Sequence, residues 1–205
     1  MARRAALLAA LALAFPAGAL ADGDPASDYL LTQNVFFPLD GQASLAQESA
    51  LMQSVGDLWR RRLPLRVAII GRRTDLGSVP VLYRQPKRYA KFLGQELSID
   101  YRQRLLVVMP NGYGLWRYAG PVPPREPAAL AALPPPGSTQ TSVLIDAAGR
   151  AVRRLAALHG IHLTAATAPK AAPSTTTRDR LVIAAAVLLV LAVGAGIVTF
   201  RRVRQ

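Results

Sequence analysis

The chain has 205 residues, 51% of them hydrophobic and none of them cysteine, and its 25 lysines and arginines against 12 acids give a formal net charge of +13. Without cysteine there is no disulfide staple, no thiolate nucleophile and no thiolate metal site, so packing alone must hold the folded part together.

The N-terminus reads as a secretory signal peptide over residues 1–21. Arg3 and Arg4 precede the apolar run Ala5 to Phe15, and Pro16 and the small residues up to Ala21 supply a cleavage site. An uncleaved anchor is the alternative, but the apolar run is short for a membrane span. Asp22 to Asp28 is a polar lead. Leu30 to Leu39, with β-branched and aromatic content and an exit at Pro38, Asp40 and Gly41, predicts a strand.

Ser44 with Gln47 has capping-box spacing, and Leu51, Met52, Val55, Leu58 and Trp59 fall on one helical face behind it. Arg60, Arg61 and Arg62 close that helix, either as cations at the negative end of its dipole or as an anion patch. Leu65 to Ile70 is a nearly uninterrupted apolar run that suits a strand covered on both faces. Gly71 to Pro80 is a loop. Pro86 opens a second helix with Tyr89, Phe92, Leu93 and Leu97 on its apolar side.

Arg104 to Met109 predicts another buried strand, Asn111-Gly112 a hairpin turn, and Tyr113 to Tyr118 the return strand. Pro121 to Gly137 holds seven prolines and predicts an irregular connection. A third helix is expected from Thr139 to Leu158, with Leu144, Ala148, Ala151, Val152, Leu155 and Leu158 inward and Gly160 ending it.

Residues 164–180 are rich in Ala, Thr, Pro and Ser and read as a flexible stalk. Leu181 to Phe200 is unbroken apolar sequence, and at about 1.5 Å per residue it spans the roughly 30 Å hydrocarbon core of a bilayer. Arg201, Arg202 and Arg204 then mark residues 201–205 as a cytoplasmic tail. The expected topology is a single-pass plasma-membrane protein with residues 22–163 exported. Ala192 and Gly196 form a small-xxx-small pair on which two such helices could associate as a homodimer.

Setting aside the arginines at 3, 4, 201, 202 and 204 takes the 25 basic residues to 20 against the same 12 acids, a balance of +8 for the exported part. That excess favours anionic headgroups or acidic envelope polymers, and the location argues against nucleic acid as a partner. The alternation of elements predicts an α/β fold: three α/β/α layers on a mostly parallel sheet with one hairpin strand, plus the C-terminal transmembrane helix.

The strand Leu65 to Ile70, the helix segment Tyr89-Ala90-Lys91-Phe92-Leu93, the strand Leu105-Leu106-Val107-Val108 and the following Gly112-Tyr113-Gly114 resemble the TPM-type domain of bacterial envelope and thylakoid proteins. The resemblance runs from about Leu30 to Leu158, with a shorter hairpin turn and the prolyl segment as departures. Asp75-Leu76-Gly77-Ser78 and the phrase from Val107 to Gly112 look closer to a membrane-anchored branch of unknown function. The resemblance implies a location at the membrane, a role in assembly or repair of membrane complexes and, less directly, phosphatase activity and Ca²⁺ binding.

In open α/β sheets ligands bind beyond the carboxyl ends of the strands. The loops expected there carry Asp40, Asp75, Ser78 and Asn111, which together are candidate ligands for a hard cation such as Ca²⁺. The alternative is that Asp75 and Asn111 form turns by bonding their own backbone. His159 and His162 read as surface histidines near a helix end. No Gly-x-Ser-x-Gly elbow or phosphate loop occurs. The expected function is therefore a tethered envelope domain that binds a partner and helps assemble or maintain a membrane complex. The rival is a metal-dependent phosphatase or other hydrolase at the outer face of the membrane.

Overall fold

Asp24 and Pro25 begin the first helix, as N-cap and first helical residue. A computed structural model describes residues 23–163, and in it Oδ1 of Asp24 accepts the backbone N–H of Ala26 at 3.2 Å. This helix, α1 (Pro25–Thr32), buries Ala26 and Leu30. It corrects two expectations. The polar lead is the start of a helix, and the strand expected over Leu30 to Leu39 shrinks to β1 (Val35–Phe36). The Asp-Pro pair is a helix-start signal that outweighs the aromatic content behind it.

The next helix, α2 (Leu45–Arg60), has the expected capping box, with the N–H of Gln47 donating to Oγ of Ser44 at 3.2 Å. Leu51, Val55 and Leu58 face inward, whereas Met52 is exposed. Arg62 takes a left-handed φ of 61°, and the N–H of Leu63 closes the end by donating to the carbonyl of Leu58 at 2.9 Å. The arginine triplet thus terminates the helix on its exposed side.

Strand β2 (Leu65–Ile69) is buried at every residue, as a strand covered on both faces requires. Arg66 lies within it, its guanidinium 4.2 Å from the Tyr101 ring centre and its Nη2 donating to the carbonyl of Leu31 at 3.3 Å. Two 3₁₀ turns (Arg73–Leu76 and Pro80–Leu82) lead to α3 (Pro86–Glu96). Strands β3 (Arg104–Met109) and β4 (Gly112–Arg117) form the hairpin, with Pro110 and Asn111 as its two-residue turn. The prolyl segment is not wholly irregular, because Arg125–Ala131 forms α4. Pro121, Pro123 and Pro124 fall before the helix and Pro127 in its first turn, where no N–H is needed, and Pro134, Pro135 and Pro136 follow its end. The last helix, α5 (Thr141–Leu158), starts two residues later than expected and ends at Gly160, φ 70°.

The strands pair in the order β1-β2-β3-β4, the first three parallel and the last antiparallel. Alternate residues feed two cores. Val35, Val67, Ile69, Leu106 and Val108 pack with α2 and α5, and Phe36, Ala68, Leu105, Val107 and Met109 pack with α1 and α3. The sheet grows in one direction while α2 and α3 cover opposite faces. The two parallel crossovers therefore have opposite hand, and one departs from the right-handed norm.

Among the described residues no helix is long and apolar enough to cross a membrane. The expected signal peptide at 1–21, stalk at 164–180, span at 181–200 and tail at 201–205 lie outside the described residues.

Candidate functional site

Because β1 exits toward one face of the sheet and β2 toward the other, a crevice opens between their carboxyl ends. It has a volume of about 350 Å³ and is lined by Pro38, Asp40, Gly41 and Gln42 after β1, Gly71, Arg72 and Asp75 after β2, and Thr139 to Ser142 at the start of α5. Asp75 is 2% exposed. The 3₁₀ turn that contains it folds its carboxylate back on the strand end, where Oδ2 accepts the N–H groups of Gly71 and Arg72, each at 2.8 Å. Burial pushes the Asp75 carboxyl above its ordinary range and nearby Asp40 adds to this, against the two N–H donors and Arg72.

Of the four candidate ligands, the structure brings Asp40 and Asp75 together. Ser78 is exposed and does not line the crevice. Asn111 sits in the hairpin turn, where its Nδ2 donates to the carbonyl of Arg84 at 2.6 Å. Asp75 bonds local backbone, but that of Gly71 and Arg72 behind it rather than ahead of it as in an Asx-turn, and Asn111 bonds the distant Arg84 rather than its own turn. Among the described residues no three His, Cys, Asp or Glu side chains gather closely enough to hold a metal ion. The oxygens a cation would meet beside the two carboxylates come from Gln42, Gln140, Thr141 and Ser142. Reading only strand-following loops missed this contribution from α5. Thr141 packs so closely on Gly41 that a Cβ there would overlap its hydroxyl.

A larger concavity, about 570 Å³, lies beside β4. One wall is the start of α3, with Pro86, Lys87 and Arg88; the other is Leu130 and Ala131 of α4 with Leu133 and Pro135, and Tyr113 and Leu115 of β4 lie between them. No carboxylate lines it. The second wall is fixed by Glu126, fully buried on α4. It is gripped by Arg104 through Nε at 3.2 Å and Nη2 at 3.0 Å, and by His159 Nε2 at 2.9 Å. Burial pushes the Glu126 carboxyl up, but its bonds to Arg104 and His159 and their charges outweigh this and hold it below its ordinary range. His159 is thus a buried-carboxylate partner rather than a free surface histidine, whereas His162 is exposed. Spacing gave no sign of this cluster, whose members lie on β3, α4 and the end of α5.

No protein-family model, no curated protein and no solved structure matches this chain. The TPM resemblance therefore rests on the sequence segments that carry it.

Proposed function

We propose that the chain is a membrane-tethered envelope protein whose exported domain, a three-layer α/β/α unit of TPM type, binds a partner and helps assemble or maintain a membrane complex. The observation that carries this reading is the concavity beside β4. It is the larger of the two clefts described, mixes apolar and cationic walls, and lies along a sheet edge rather than over the strand ends where α/β enzymes place their chemistry. The apolar run from Leu181 and the basic balance support its placement at a membrane. In-cell photo-crosslinking from several exposed positions of the full chain tests it. Reproducible adducts with one envelope protein are expected, and recovery of no adduct above background from any position sinks the reading.

A second reading has one observation in its favour, the convergence of Asp40 and Asp75 on the strand-end crevice. It is a divalent-cation site, and through it a hydrolase. Calorimetric titration of the full chain with Ca²⁺, Mg²⁺ and Mn²⁺ decides it; no heat of binding beyond dilution removes the hydrolase in this form.

A further inference from the structure

Strand β4 is a sheet edge, and its pairing register says which of its backbone groups face outward. The N–H of Ile70 donates to the carbonyl of Val108 at 2.9 Å, so Val108 bonds toward β2. Backbone groups alternate along a strand, so Val107 and Met109 bond toward β4, to their partners Gly114 and Gly112. The N–H and C=O groups of Tyr113, Leu115 and Arg117 therefore point away from the sheet. None of them has a hydrogen-bond partner among the described residues. An edge of this kind is ordinarily blunted or covered. Here it opens into the concavity between α3 and α4.

The two walls differ in chemistry. A strand added to this edge would place alternate side chains on opposite faces of the sheet. Those beside Tyr113 and Leu115 would meet Leu130 and Leu133 on the apolar wall. Those in between would meet Lys87, Arg88 and the positive end of α3, whose N-cap makes no side-chain bond. Lys87 and Arg88 have no carboxylate partner among the described residues. A second copy paired edge to edge would set these cations against their own duplicates, which disfavours self-association here.

We propose that the open edge of β4 captures an extended segment of a partner protein in which apolar and acidic residues alternate, adding it to the sheet as a fifth strand. This deepens the binding-module reading and rests on it. Backbone hydrogen bonds would supply affinity, and the two unlike walls would supply the alternating specificity.

The test uses the full-length chain in mild detergent and a labelled peptide in which valines alternate with glutamates. Saturable binding is expected. At least tenfold weaker binding is expected for the same peptide N-methylated at its edge-facing amides, and for one with lysine in place of glutamate. Lys87→Glu should exchange the preference between the acidic and basic peptides. Leu115→Pro should abolish binding by removing an outward N–H while leaving the β3 pairing intact, and the N-methylated peptide makes the same test should that variant fail to fold. Equal binding of the methylated peptide, no saturable binding of the acidic one, or a dimer that the acidic peptide disperses overturns the proposal. A photo-crosslinker at Tyr113 and another at Ile99, which is 84% exposed, separate this proposal from its parent. A partner recovered only from Ile99 sinks the edge proposal and leaves the binding module standing.

Discussion

Gly114 lies backbone to backbone against Pro86, so close that an added Cβ would overlap the Pro86 carbonyl. The contact seats the first turn of α3 over β4 and sets one wall of the larger cleft. Only glycine permits it, because the obstacle is main chain rather than a side chain that can turn aside. Gly114→Ala is expected to cost about 3 kcal/mol, the upper end for overpacking. Gly56→Ala on α2 meets nothing closer than 3.7 Å and is expected to add about 0.5–1 kcal/mol from helix propensity. Urea unfolding measures both, and equal effects would contradict the close approach.

Asp24 and Tyr89 form a buried pair, the phenol donating to both carboxylate oxygens at 2.8 and 2.7 Å. Burial pushes the Asp24 carboxyl up from 3.8 to about 6, the Tyr89 and Ala26 bonds only partly opposing it. A carboxyl raised in the folded state favours folding when protonated. Its contribution is full below the unfolded pKa and is lost as pH rises through about 6. The loss is on the order of 3 kcal/mol between pH 4 and 7. Asp24→Asn keeps the cap and the acceptor without the titration, so its stability relative to the parent should rise across that window. Thermal unfolding at pH steps reads this, and a flat difference would refute it.

Glu126 behaves in the opposite sense. Its carboxyl is held below its ordinary range, so its contribution is present above the unfolded pKa and disappears as pH falls through the folded one. Glu126→Gln leaves Arg104, 13% exposed, without its counter-charge, and is expected to cost about 3–5 kcal/mol at neutral pH. Below the folded pKa the variant and the parent should converge. Denaturant midpoints taken in steps downward from pH 7 check both halves, and a cost that stays undiminished to the lowest pH at which the parent folds would count against the ion pair.

The sequence made β2, β3, α2 and α3 legible because each carries its own signal: uninterrupted apolar runs, a capping box, a proline at a first helical position. What stayed hidden depends on residues far apart in the chain. Glu126 looks like one acid in a prolyl stretch until Arg104 and His159 close on it. The opening of α1 was readable from Asp24-Pro25, but β-branched and aromatic content further on obscured it. The crevice follows from helices lying on opposite faces, which periodicity does not reveal.

Asp75 is where turn chemistry and ligand chemistry make different demands on one side chain. Its Oδ2 alone satisfies the N–H groups of Gly71 and Arg72. Asp75→Ala orphans both donors, one of them deeply buried, and is expected to cost about 2 kcal/mol. Asp75→Asn retains an acceptor and removes a charge that burial disfavours, so it should be neutral or stabilising near pH 7. A cation bound between Asp40 and Asp75 would reverse that order in its presence. The parent would then gain RT ln(1 + [L]/Kd), and both Asp75→Asn and Asp40→Asn would lose that gain. Melting curves of the parent and the three variants, with and without millimolar Ca²⁺, separate the two roles. A turn-former gives Asn above Ala and no response to Ca²⁺. A cation site gives a parent that Ca²⁺ stabilises and asparagine variants that it does not.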